Sequence, residues 1–192
     1  MIDAAAAIFS RHGYHGASTR AIADQLQIKV ASLYFHIASK DDALEEICTL
    51  GNRRALLYLE RALSEPTHLA EQLRIFFRHQ RDDVVAHADY VSVLMHEGRH
   101  LPAPAKARVA ALTREFRSRI DRMFEAAEQR GELNDGMSPR HARFVLIGTV
   151  RSISELYTSG HVSNIDEITA SWTEAVIRGL VRNYTPPVPV NM

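Results

Sequence analysis

Ser18-Thr19-Arg20-Ala21-Ile22-Ala23-Asp24-Gln25-Leu26-Gln27-Ile28-Lys29-Val30-Ala31-Ser32-Leu33-Tyr34-Phe35-His36-Ile37 is the stretch that decides how this chain is read. It predicts two short helices around a tight turn, with a small residue, Ala23, where they must approach closely. Ser18 is a natural N-cap for the first, over about Thr19–Leu26, and the second covers about Lys29–His36. Two helices in this arrangement form a helix-turn-helix, whose second helix fits the DNA major groove.

Outward from that stretch the pattern stays helical. Ile2, Ala5, Ala6 and Phe9 mark one face of a first helix ending before Gly13. Ser39 caps a long helix reaching about Leu63, with Asp42 in a capping-box-like position. Ser64-Glu65-Pro66-Thr67 is the clearest boundary. Beyond it come helices over about 68–87, 89–98, a long one stopping near Gly131, then 138–158 and 164–183, the first of this last pair opened by Ser138-Pro139. Phe144–Val150 is apolar on every side, which fits a helix buried all round or shared with another subunit. The chain from Thr185, with three prolines, reads as a loose tail, and no strand pattern or repeat is visible.

Composition narrows the classes. The 192 residues carry zero formal net charge, and the 23 Lys and Arg balance 23 Asp and Glu. Residues 1–50 hold only Arg11, Arg20, Lys29 and Lys40 against six carboxylates, so DNA binding cannot rest on bulk charge. It must rest on a small surface with Arg20, Lys29 and Lys40, doubled by dimerisation. No apolar run nears the ~20 residues of a membrane span, and no signal peptide is seen. The one cysteine, Cys48, excludes an internal disulfide, fits a reducing cytoplasm, and sits at core spacing with Leu44 and Ile47.

The pieces Ala6-Ala7-Ile8-Phe9, Gly13-Tyr14, Ser18-Thr19-Arg20, Ile22-Ala23, Ser32-Leu33-Tyr34-Phe35-His36 and Ser39-Lys40-Asp41-Asp42-Ala43-Leu44 stand in an order and spacing that resemble the N-terminal domain of the TetR family of bacterial transcriptional repressors. The resemblance covers residues 2–47. It implies that Ser18, Thr19 and Arg20 open the helix that crosses the DNA backbone, where amides and hydroxyls suit phosphate oxygens. It also implies that Lys29, Val30 and Ser32 face base edges or nearby phosphates, that Tyr34 and His36 match a phosphate-contacting pair, and that Lys40 meets a phosphate from the start of the fourth helix. The chain departs from the family pattern at the turn, where Gln27 replaces the usual glycine, and at Lys29, Ala31 and Ile37, where serine, glycine and phenylalanine are common. A positive φ at Gln27 would cost on the order of 1 kcal/mol.

The same resemblance implies an all-α protein with an N-terminal three-helix helix-turn-helix domain (residues 1–47), a connecting helix and boundary (48–66), a helical ligand-binding and dimerisation domain (67–184) and a flexible tail (185–192). It implies a cytoplasmic homodimer that binds a palindromic operator on double-stranded DNA as a repressor, released by a small, largely apolar effector, with no membrane, cofactor or metal. The run Val93–Pro102 followed by a long helix ending at Gly131-Glu132-Leu133 is loosely similar to family members that respond to acyl-CoA or lipid-derived thioesters. Phe76, Phe77, Met95, Phe116, Ile120 and Phe124 could line an apolar pocket and Arg99 or Arg151 meet an anionic head group; for the apolar set plain core packing is the favoured reading.

One competing motif is present. His96-Glu97-Gly98-Arg99-His100 satisfies H-E-x-x-H, which on a continuous helix puts two histidines on one face to chelate zinc with Glu97 as general base. A zinc-dependent hydrolase is therefore the alternative reading, with Glu125 and Glu128 the positional candidates for a third ligand.

Overall fold

A computed structural model describes residues 1–64 and 68–186. Among these the elements are α1 (Ile2–Gly16), α2 (Thr19–Gln25), α3 (Val30–Leu33), α4 (Lys40–Leu63), α5 (Leu69–Ala86), α6 (Ala88–His96), a single 3₁₀ turn (Gly98–His100), α7 (Ala103–Gln129), α8 (Pro139–Thr158) and α9 (Ile165–Leu180). The protein is all-α, and Leu133 and Val181 form one isolated antiparallel bridge. Residues 65–67 of the expected boundary and 187–192 of the expected tail lie outside the described residues. The chain divides into two compact units, Met1–Leu57 with Asp83–Phe116, and Tyr58–Asp82 with the chain from Arg117.

In the first unit Phe9, Ile22, Leu33, Leu44 and Ile47 are each no more than 1% exposed and form its centre. Ala5, Ala6, Ala23 and Ala43 pack among them, so short side chains allow the helix axes to close together. Ser18 accepts the Ala21 N–H at 3.1 Å, the cap expected for α2. Ser39 accepts the Asp42 N–H at 3.1 Å and donates its hydroxyl to the Asp42 carboxylate at 2.7 Å. The cap thus forms as read, but the Asp42 carboxylate turns to the hydroxyl rather than to the backbone.

The expected end of the first helix is found, and two other features differ from the sequence reading. Gly13, at φ 69° and ψ 163°, leaves the helical region and the Tyr14 N–H turns to Glu97 Oε2, so the helix proper ends before Gly13 and the residues to Gly16 form a separate turn at the end of α1. Helix α3 is half its expected length. Its N-cap Lys29 offers no side-chain bond, and the N–H groups of Phe35 and His36 donate to Ser32 and Leu33, three residues back, which tightens the last turn and stops it. In α8, Leu146 is buried but Phe144 and Val145 are 55% and 40% exposed, so this chain alone covers only part of the expected all-round apolar stretch.

The turn after α2 is a Schellman closure. The Ile28 N–H donates to Ala23 O at 3.0 Å and the Gln27 N–H to Asp24 O at 3.1 Å. That motif needs a left-handed residue, and Gln27 supplies it at φ 55°. Helix α7 ends in the same motif with Gly131 at φ 70°. The exposed Gln27 side chain contributes no packing to offset the strain. Gln27→Gly will therefore stabilise the fold by up to about 1 kcal/mol in denaturant unfolding.

In the second unit Leu69, Leu73, Phe76, Phe77, Ile120 and Phe124 are fully buried; α8 packs on α9, and Leu146, Ile153, Ile177 and Leu180 on these two helices are buried. Glu132 ties the start of α5 to the end of α7: it accepts the Leu69 N–H at 2.7 Å and the Arg130 guanidinium at 2.8 and 3.2 Å, with His68 at 3.2 Å. The Arg130 hydrogen bonds, against the opposing effect of burial and with help from Leu69 and His68, hold its carboxyl down at about 2. A depressed value means stability is present above the ordinary carboxylate range and lost as pH falls toward 2. Glu132→Gln will cost on the order of 2 kcal/mol at neutral pH, discounted for the partly exposed arginine. The gap to wild type in urea unfolding will close between about pH 4.5 and pH 2.

Candidate nucleic-acid interface

The residues between the start of α2 and the start of α4 form an exposed surface on the first unit. Ser18, Arg20, Lys29, Ser32, Tyr34 and His36 are exposed, and Thr19 and Val30 half-buried. Leu33, between them, is 1% exposed and anchors α3 to the core. Because α3 is short, Tyr34 and His36 lie in the turn that closes it and not on its face. Tyr34 is 51% exposed, and its hydroxyl lies 3.4 Å from the Thr19 hydroxyl, so α2 and the α3 turn present one hydroxyl pair outward. Arg20 reaches Asp24 at 3.9 Å only loosely, with both side chains in solvent.

Lys40 serves the fold as well. Its Nζ donates to Tyr14 O at 2.7 Å and Ala17 O at 3.1 Å and stands 4.2 Å from the centre of the Tyr14 ring. It therefore ties α4 to carbonyls in the turn that follows Gly13 at the end of α1. Two of its three N–H groups are so engaged, and one is left for a further acceptor. The Tyr14 hydroxyl donates to Asp41; burial first, and then this carboxylate, push the phenol up to about 12. Tyr14 is thus the hub on which α1 and α4 hold the surface together.

Phe35, which the sequence pattern left without a role, is 88% exposed beside Tyr34. An aromatic side chain left this open is unusual for a core-forming residue type. No sequence signal could separate it from Leu33, since the helical period that distinguishes faces ends at the turn.

The H-E-x-x-H residues do not form the zinc constellation. Helix α6 stops at His96, and Gly98–His100 is a 3₁₀ turn, so the two histidines are not one helical turn apart on a common face. Glu97 accepts the Tyr14 N–H at 2.9 Å, His96 Nδ1 lies 3.0 Å from Ser92 O, and His100 Nδ1 lies 3.1 Å from His15 Nε2. Among the described residues no group of three or more His, Cys, Asp or Glu is placed to hold a metal ion. No described helix is long and apolar enough to cross a membrane.

The residues read as ligand-binding are divided. Met95 and Phe116 are half-buried and Arg99 exposed in the first unit. Phe76, Phe77, Ile120 and Phe124 fill the interior of the second unit, and Arg151 is exposed on α8.

Residues 1–47 match the bacterial regulatory proteins of the tetR family, and residues 66–180 match the Tetracyclin repressor-like C-terminal domain. The chain belongs to the TetR family, and it is a DNA-binding transcriptional regulator, not an enzyme. Among its relatives, the fatty acid metabolism regulator protein of Bacillus subtilis (strain 168) is 21% identical over 150 residues, 78% of this chain and 77% of its own length. The ketosteroid transcriptional regulator KstR2 of Mycobacterium tuberculosis superposes with a TM-score of 0.85 at 18% identity, over 95% of this chain and 93% of its own. AibR, solved with isovaleryl coenzyme A and operator DNA, superposes with a TM-score of 0.79 at 23% identity, over 91% and 94%.

Proposed function

We propose that the chain is a homodimeric repressor that reads a short palindromic operator and leaves it when a small, largely apolar effector, an acyl-CoA or related lipid-derived compound, binds. The exposed residues Arg20, Lys29, Ser32, Tyr34, Phe35 and His36, spread over α2, α3 and the turn that closes α3, with buried Leu33 among them, carry the DNA-reading part. In this reading Lys29, Val30 and Ser32 meet base edges and adjacent phosphates. Ser18, Thr19, Arg20, Tyr34, His36 and the remaining N–H of Lys40 meet phosphates, and the Phe35 ring lies against sugar or a thymine methyl group. Each subunit then reads one half-site, so two-fold protein symmetry is mirrored in the operator.

The exposed Phe144 and Val145 on α8 support a second copy as their cover, since an apolar patch on an otherwise packed helix is stabilised by association. The acyl-CoA class rests on the relatives' own ligands and on the apolar character of the second unit. Repression requires that effector and operator favour different arrangements of the two reading heads, which makes their effects on each other's affinity reciprocal.

Selection of bound fragments from genomic DNA tests the reading. A palindrome with half-sites about one helical turn apart, bound by a species twice the chain mass in light scattering and released by acyl-CoA, is expected. Binding without two-fold symmetry in the DNA, or a monomer at micromolar concentration, would overturn it.

A further inference from the structure

The second unit carries a cleft of about 490 Å³ along the end of α4, the first turns of α5 and the later half of α7. That volume lies inside the range of about 300–1,000 Å³ typical of small-molecule sites. Leu63 and Met123 supply apolar wall, and Arg119, Arg122 and Arg130 supply three guanidinium groups. Carboxylates compete for two of them. Glu60 lies 3.9 Å from Arg119, with its own side chain 68% exposed, and Glu132 holds Arg130. Arg122 is exposed at the cleft with no carboxylate paired to it among the described residues.

A second observation points inward. Gln72 lines the same cleft, is only 7% exposed, and its Oε1 is buried with no hydrogen-bond partner among the described residues. An acceptor in that state costs about 1–3 kcal/mol unless a donor arrives. The cleft thus combines an unmet buried acceptor, an apolar wall and a local excess of positive charge in a chain of zero net charge. Planar guanidinium groups along the later part of α7 suit a phosphate, whose three oxygens take paired N–H bonds.

From this we infer that the cleft binds the phosphorylated end of an amphiphile. Its phosphate lies on Arg122 with Arg119, a donor group of the ligand or a bridging water meets Gln72 Oε1, and its apolar part runs along Leu63 and Met123. The inference rests on the effector reading and names the head-group site that reading lacks; the arginines proposed from sequence, Arg99 and Arg151, are not among the residues lining this cleft.

Isothermal titration of the full chain tests it with four probes: dodecanoyl-CoA, dodecyl phosphate, dodecanoate and inorganic phosphate. The two phosphorylated amphiphiles should bind the wild type, and Arg122→Ala should weaken them by about tenfold, as expected when one charge-assisted hydrogen bond is removed. Dodecanoate should bind more weakly and be insensitive to that change. Gln72→Leu, which removes the unmet acceptor, should weaken the amphiphiles while leaving thermal stability equal or higher. If both phosphorylated probes bind, dodecyl phosphate assigns a phosphomonoester lipid and dodecanoyl-CoA a thioester as accepted chemistry by their relative affinities. Failure of either amphiphile to bind, or binding unchanged in a folded Arg122→Ala protein, overturns the cleft assignment. Because Arg122 lies outside the reading head, operator binding by that variant stays at the wild-type level. Release of DNA by dodecanoyl-CoA that survives Arg122→Ala would keep the effector reading and sink the cleft alone.

Discussion

Replacing Lys29 and Tyr34 together with alanine will lower affinity for the selected operator by about a hundredfold or more, with thermal stability within about 0.5 kcal/mol of wild type. Both side chains are exposed, so the fold gives up little when they are cut back. Each phosphate or base interaction of this kind contributes about 1–3 kcal/mol to the complex, and in a dimer each is removed from both half-sites. Removing the Lys29 charge should also flatten the dependence of log affinity on log salt by about one unit for each phosphate it neutralises. Tyr34→Phe separates two roles of one ring, since it keeps the apolar body and removes only the hydroxyl paired with Thr19. Fluorescence anisotropy on the operator duplex at several salt concentrations reads all of these. Unchanged affinity and slope in a folded double variant would leave the exposed α2–α3 surface without its assigned role.

The largest stability effect should come from Asp83→Ala, at about 3–5 kcal/mol. Asp83 is 6% exposed and accepts Arg54 Nε at 2.7 Å. The Arg54 guanidinium stacks 4.8 Å from the centre of the Tyr90 ring, and the Tyr90 hydroxyl donates to Asp3 at 2.7 Å. Burial first, and then the Asp3 carboxylate, drive that phenol well above its usual range. One chain of interactions therefore links the end of α5, the middle of α4, α6 and the start of α1 inside the first unit. Arg54 Nη2 is already buried without a hydrogen-bond partner among the described residues, so removing Asp83 leaves an uncompensated charge. The double change Arg54→Met with Asp83→Leu removes both charges and should recover most of the loss, because a buried ion pair is seldom more stable than apolar residues of similar volume. Urea unfolding of the two variants checks this, and a loss of under 1 kcal/mol in Asp83→Ala would refute it.

Much of the architecture was legible because helices are local. The Ser18 and Ser138 caps, the apolar stripes and the long α4 and α7 follow from residues a few positions apart, and each boundary depends on hydrogen bonds that the chain makes with itself. Where the pattern misled, the cause was also specific. The end of α3 depends on bonds three residues back competing with bonds four residues back, and side-chain type says little about that balance. The end of the first helix at Gly13 was legible, because a glycine at positive φ breaks the local ladder, but the one-turn segment after it, whose first N–H is taken by Glu97, was not.

The reading head shows the same division. The resemblance to the TetR family along residues 18–40 was enough to nominate its residues, since a helix-turn-helix is built from one continuous segment. They could not distinguish Phe35, which faces solvent, from Leu33, which is buried, nor foresee that Lys40 closes the end of α1. The amino-acid order by itself determined that the chain is helical, where most helices begin, and that one short segment is shaped for DNA. Only tertiary structure decided that H-E-x-x-H is broken across a helix end, that Asp83 and Arg54 pair inside the first unit, and that Gln72 and three arginines meet around one cleft. The reason is range: caps and apolar periods act over one helical turn, whereas a cleft or a buried ion pair depends on the packing of residues tens of positions apart.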